Sequence, residues 1–219
     1  MRLYYLKSDS KVAATISMLG ISELDCDLIP ISDHDLATVS ELRQLSPLGL
    51  TPILQTDGMA LFTMTSILKY IAKLRKEKGY SGLLLKEETQ IDQWLDICYT
   101  DLEPLAGVAH NQLSSGAYDP QTSNDSLREI AKILGVLENR FKQDHRYIVG
   151  YGPSIADVAV ASTLTHPFWT IFQNFFSQQF PFVNQWLREC QERFNFSAVR
   201  NSIMPDSRKT SVEFRHIPK

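Results

Sequence analysis

Cysteine is scarce: Cys26, Cys98 and Cys190 are odd in number and far apart. That excludes a disulfide frame and fits the reduced thiols of a cytoplasmic protein. No apolar run approaches the ~20 residues that a membrane-spanning helix needs. The start, "MRLYYLKSDSK", is basic but lacks the apolar stretch of a signal peptide. Excess positive charge is missing too. With 22 Lys and Arg against 25 Asp and Glu, the net charge is −3, which argues against nucleic-acid binding by the chain as a whole. Only the tail, with Arg208, Lys209, Arg215 and Lys219, offers a basic segment. His34, His110, His145, His166 and His216 have no metal-ligand spacing and no cysteine close in sequence, so no metal site is expected. Internal repeats and low-complexity segments are absent.

What is present is a chain of 219 residues, long enough for one large domain or two small ones. Its first third alternates short strand and helix signals. "RLYYL" (2–6) suits a buried strand. "KVAATISML" (11–19) puts Val12, Ile16 and Leu19 on one helical face, with Ser8, Asp9 or Ser10 as N-cap and Gly20 as the stop. "CDLIPI" (26–31) reads as a strand, held to an edge or cut short by Pro30. "ATVSELRQL" is a short helix closed by "SPLG". "LTPILQT" and "ALF" flank the turn "DG", a tight hairpin. From Met64 the apolar positions 64, 67, 71 and 74 mark a helix. The order is βαβαββα, with a parallel first pair and an antiparallel hairpin.

After a charged link (75–86) the signals are helical. "EETQIDQWLDICYTDLEPLAGVAHNQL" carries Ile91, Trp94, Leu95, Cys98, Leu102 and Leu105 on one stripe, and Pro104 should bend it. "GAYDPQTSN" (116–124) reads as a loop, after which Ser126 and Glu129 are spaced as a capping box. Ser154 and Asp157 repeat that device at the start of "SIADVAVASTLTH". "FPFVNQWLRECQERF" and "FSAVRNSI" are two further helices, and the tail from Pro205 has no periodicity.

A βαβαββα unit with "TP" before its third strand, followed by helices with "IVGYGPSIADVAVA", resembles the glutathione transferase superfamily. Within it, "FPFVNQWLRECQERFNFSAVRNSI" is similar to the transferase-like domain of the elongation factor 1 gamma subunit. "TPILQTDGMALFTMTSILKYI" and "QIDQWLDICYTDLEPL" are similar to the N-terminal domain of eukaryotic methionyl-tRNA synthetase and to auxiliary proteins of the multisynthetase complex. The resemblance implies the glutathione transferase fold: a thioredoxin-like α/β domain (1–77), a linker (78–85), an all-α domain (86–204) and a flexible tail (205–219).

It also implies where chemistry would sit. A transferase stabilises the glutathione thiolate with a donor at the N-terminus of its first helix. Ser8 or Ser10 stands at that place, although the Asp9 carboxylate between them would repel a thiolate; capping is the preferred role for all three. Thr51–Pro52 matches the superfamily's cis-proline element, which non-catalytic members keep. In active transferases the next corner reads Glu or Gln followed by Ser and grips the γ-glutamyl end. Here Thr63 and Met64 occupy those two places. Losing two charged hydrogen bonds, each about 1.5–3 kcal/mol, weakens binding by roughly two to four powers of ten. Asp157 reads as a folding element rather than a catalytic acid.

The expectation is therefore a non-catalytic interaction module of the translation machinery, without a cofactor. It would form a homo- or heterodimer with other transferase-like domains, with no role at a membrane and no nucleic-acid contact except through the tail. Arg146, His166, Trp169 and Arg200 are its interface candidates. The competing reading is an active glutathione transferase using Ser8 or Ser10.

Overall fold

The computed structural model describes residues 1–7, 9, 11–114, 120–165, 176–196 and 198–199, with backbone only for 109–114 and 120–124. Four strands form one sheet in the order β2-β1-β3-β4. β1 (Arg2–Leu6) pairs in parallel with β2 (Asp27–Ile31), as the crossover through α1 (Val12–Ile21) requires. On its other side β1 pairs antiparallel with β3 (Ile53–Thr56), which turns back into β4 (Met59–Leu61). Gly58, with φ +85°, makes that turn. β2 lies at the edge, where Pro30 leaves no ladder bond unmade.

Two local expectations about α1 need correction. The helix does not stop at Gly20 but runs through it to Ile21, and the chain turns at Glu23 with φ +53°. Its N-cap position is Lys11, without a side-chain cap, because Asp9 spends Oδ1 on the Lys11 N–H one position too early. Ser8 and Ser10 lie outside the described residues. A Cβ on Gly20 meets nothing within 4 Å. Gly20→Ala is thus expected to stabilise the protein by roughly 0.5 kcal/mol, the helix-propensity gain, read as a higher urea midpoint.

The "ATVSELRQL" segment is two helices rather than one, α2 (Asp33–Thr38) and α3 (Ser40–Leu45). Val39 between them is extended, and α2 starts on a Ser32–Asp35 capping box. α4 (Met64–Leu74) buries Met64, Ile67, Leu68, Ile71 and Ala72, whereas Leu74 at the end of the expected stripe is exposed.

α5 (Leu85–Asp96) continues through a π turn (Ile97–Leu102) into α6 (Glu103–Ser114). The π turn ends two residues before Pro104, whose missing N–H cannot join the α-helical ladder. α7 (Pro120–Lys142) begins earlier than the sequence implied, with proline in the first turn, where its missing N–H costs nothing. Most of the expected 116–124 loop is therefore helical. Ser126 and Glu129 lie inside α7 rather than capping its start. α8 (Ile155–Thr165) packs on α1, α5 and α9 (Pro181–Arg193). The expected helix over 196–203 lies mostly outside the described residues. One contiguous core runs from Leu3 through α1, α4 and the later helices to Phe196. A smaller cluster (Tyr4, Leu42, Ile53) lies apart from it, between the sheet and α3.

Candidate functional site

Three places decide what this fold can do: the corner at the start of α4, the cleft at the start of α1, and the base of α8.

At the first, Thr63 is extended (φ −121°, ψ 141°) and makes no side-chain cap to α4. Its hydroxyl donates to Ser66 Oγ at 2.9 Å, on the exposed surface. Met64 is buried in the core, and its sulfur accepts the Thr15 hydroxyl at 3.7 Å. The local cause is the helical stripe itself, which turns position 64 inward with 67, 68 and 71. Met64 thus serves packing, and the Thr63 hydroxyl bonds within its own helix turn.

At the second, Thr51–Pro52 is cis. The Thr51 hydroxyl donates to Asp9 Oδ2 at 2.9 Å, and the Lys11 N–H donates to Asp9 Oδ1 at 3.0 Å. From the helical side, Glu103 places Oε1 3.4 Å from Lys11 Nζ. Burial pushes the Asp9 carboxyl up, against its bonds from Lys11 and Thr51. Burial also raises Glu103, against the pull of Lys11. Asp9 was foreseen beside the thiolate position; Glu103 was not, and the one signal pointing to it was Pro104, because π turns often mark functional positions.

The pH consequence has a definite sign. A carboxyl raised on folding contributes stability below its unfolded pKa, lost as pH rises through the folded value. Glu103→Gln is therefore expected to keep wild-type stability at pH 4 and to lose less stability on going to pH 7, measured as melting temperature against pH.

None of the three thiols is activated. Cys98 is pushed up to about 12 by burial, with Thr163 Oγ1 at 3.4 Å, and burial also raises Cys190 and Cys26. Among the described residues no group of three His, Cys, Asp or Glu is placed to hold a metal. Among them, too, no helix is long and apolar enough to cross a membrane.

At the third place, Asp157 is fully buried at the first turn of α8. Oδ1 accepts the Ile148 N–H at 2.9 Å and the Trp186 Nε1–H at 3.0 Å. Oδ2 accepts both the N–H and the hydroxyl of Ser154, each at 2.9 Å. Burial raises the carboxyl and these four donors oppose the rise. The arrangement ties α8 to α9 and to the preceding loop, with no open side for a substrate.

Of the interface candidates, Arg146 donates from Nε to Glu189 Oε2 at 3.2 Å, and its guanidinium lies 5.7 Å from the Tyr147 ring centroid. Arg193 lies 6.0 Å from the same centroid. A surface groove of about 280 Å³ runs past Arg146, Phe182, Trp186 and Glu189. His166, Trp169 and Arg200 lie outside the described residues.

Residues 102–193 match the family model described as glutathione S-transferase, C-terminal domain. The chain is 28% identical over 160 residues to elongation factor 1-gamma 3 of Oryza sativa subsp. japonica, covering 73% of this chain and 38% of that protein. It is 33% identical over 129 residues to elongation factor 1-gamma of Trypanosoma cruzi, covering 58% and 30%. It thus spans less than two-fifths of the length of these curated relatives. Among solved structures, poplar glutathione transferase F1 superposes with a TM-score of 0.81 at 21% identity, covering 93% of this chain and 98% of that one. The transferase URE2P5 from Phanerochaete chrysosporium gives 0.81 at 18% identity, covering 93% and 94%. At such identities the structural likeness establishes the fold.

Proposed function

We propose that this glutathione transferase-like chain, related in sequence to elongation factor 1-gamma proteins, is a non-catalytic protein–protein interaction module of a translation complex. It pairs with other domains of the same fold, as a homodimer or a heterodimer, in the cytoplasm and without a cofactor. The observation that carries this reading is Met64. Its side chain belongs to the core and its sulfur is engaged by Thr15, so the corner that would hold the γ-glutamyl end has been given over to packing. Asp9 reinforces it, because a carboxylate at the start of α1 opposes a thiolate there. The exposed groove beside Arg146 supplies aromatic and charged groups of the kind that interfaces use.

Calorimetric titration with glutathione to millimolar concentrations tests the reading. The expected result is no saturable heat and no rise in melting temperature. Sedimentation of the chain, alone and mixed with the transferase-like domains of elongation factor 1-gamma and methionyl-tRNA synthetase, is expected to show a dimer or a mixed complex. The competing reading is an active glutathione transferase using Ser8 or Ser10, and the cis Thr51–Pro52 element fits either reading. Saturable glutathione binding that weakens in Ser8→Ala or Ser10→Ala would put that reading first.

A further inference from the structure

Four of the five most exposed large hydrophobic side chains among the described residues stand together. Tyr151 is 98% exposed, and Leu83, Leu84 and Leu85 are 70%, 64% and 81% exposed. Three successive outward leucines are unusual on a surface that meets only water. Leu83 and Tyr151 both line a cavity of about 190 Å³, with Ile91, Val149 and Pro153 as further apolar walls. Leucine run, tyrosine and cavity therefore form one patch. The charged groups at the cavity are already engaged within the chain. Lys78 Nζ donates to the Ile21 carbonyl at 2.9 Å and to Glu23 Oε1 at 2.8 Å. Glu87 Oε2 accepts the Leu83 and Leu84 N–H groups. What remains suits an uncharged, apolar or aromatic group. An apolar cavity of about 150 Å³ is enough for a benzene ring.

We infer that this face pairs with a second copy of the chain about a two-fold axis, the Tyr151 ring of each copy seated in the cavity of the other and the leucines packed around it. Ring and cavity lie on the same face, so such a contact closes as a dimer instead of propagating. Four large side chains per copy present several hundred Å² of apolar surface. Two such patches with their polar rims approach the roughly 1,200 Å² of total burial at which specific interfaces begin. Glu77 and Lys86, next in sequence to the lining residues Lys78 and Glu87, are exposed and form no ion pair among the described residues. The rim thus carries both signs, and a two-fold contact can set each against its opposite. This dimer rests on the pairing role and gives it one partner and one surface.

The test is sedimentation equilibrium of the whole chain up to about 100 µM, a range that detects even weak pairing. A dimer is expected. Tyr151→Ser should weaken it about tenfold or more, because each substitution removes two seated rings. Tyr151→Phe should retain it. Gly152 lines the cavity with a φ outside the left-handed region, and a Cβ there meets nothing within 4 Å. Gly152→Leu adds apolar surface yet should break the dimer by filling the cavity, the reverse of what mere surface stickiness produces. Both positions are exposed, and melting temperatures of dilute samples confirm that the variants fold. The proposal is overturned if the chain is monomeric throughout, if its dimer is indifferent to Tyr151→Ser and Gly152→Leu, or if Gly152→Leu strengthens it. A chain that is monomeric alone but joins the transferase-like domain of elongation factor 1-gamma or methionyl-tRNA synthetase overturns the second copy and leaves the pairing role standing. Saturable glutathione binding, read in a separate titration, strikes the pairing role itself.

Discussion

Asp157→Ala is expected to destabilise the protein by about 4 kcal/mol, because it strands buried donors that have no alternative acceptor. The Ile148 and Ser154 N–H groups, the Ser154 hydroxyl and the Trp186 indole N–H all converge on this carboxylate. At roughly 2–4 °C per kcal/mol for a chain of this size, the melting temperature should fall by about 8–16 °C. Asp157→Asn is not a neutral replacement. Each oxygen accepts two donors, so an amide nitrogen in either place would confront two N–H or O–H groups. About half of the full loss is expected. Ser154→Ala removes one hydroxyl donor and should cost about 1 kcal/mol. Thermal and urea unfolding of the three variants reads this order. A loss below about 1 kcal/mol for Asp157→Ala would show that the network does not hold α8 in place.

Gly82→Ala should cost roughly 3 kcal/mol, from a left-handed backbone penalty of about 1–2 kcal/mol and a steric clash on top of it. Gly82 has φ +85°, and an added Cβ would stand 2.7 Å from Glu88 N and 3.0 Å from Glu87 Cβ. Both neighbours are in the first turn of α5, so relief requires moving that helix. Glu87 Oε2 accepts the N–H groups of Leu83 and Leu84, and displacement would break this cap as well. The predicted signature is a lower urea midpoint and loss of amide protection at the start of α5. The contrast with Gly20→Ala is instructive: the same substitution gains where a helix passes through open space and loses where two backbones meet.

Several elements were legible because their causes are local. β1 is a compact aromatic run, the hairpin is punctuated by Asp57–Gly58, and Met64, Ile67 and Ile71 keep helical spacing. Boundaries were less legible. Gly20 carries a stop signal, yet the helix passes through it to Ile21, with Met18 and Leu19 packed in the core. Ser126 and Glu129 look like a helix start, but Pro120 had already supplied one six residues earlier. Met64 was legible as a core residue from its place on the apolar stripe, and it is buried there with Ile67 and Ile71.

By itself the sequence determined the parallel first strand pair, the antiparallel hairpin and the inward face of α4. Those follow from periodicity, turn chemistry and side-chain inventory, all properties of neighbours along the chain. Only the tertiary structure decided that the Met64 sulfur is taken by Thr15, that Asp157 gathers four donors, and that Glu103 reaches Lys11 beside Asp9. A hydrogen bond or a charge cluster depends on distances of a few ångströms between residues up to a hundred positions apart, and no local pattern in the chain encodes them.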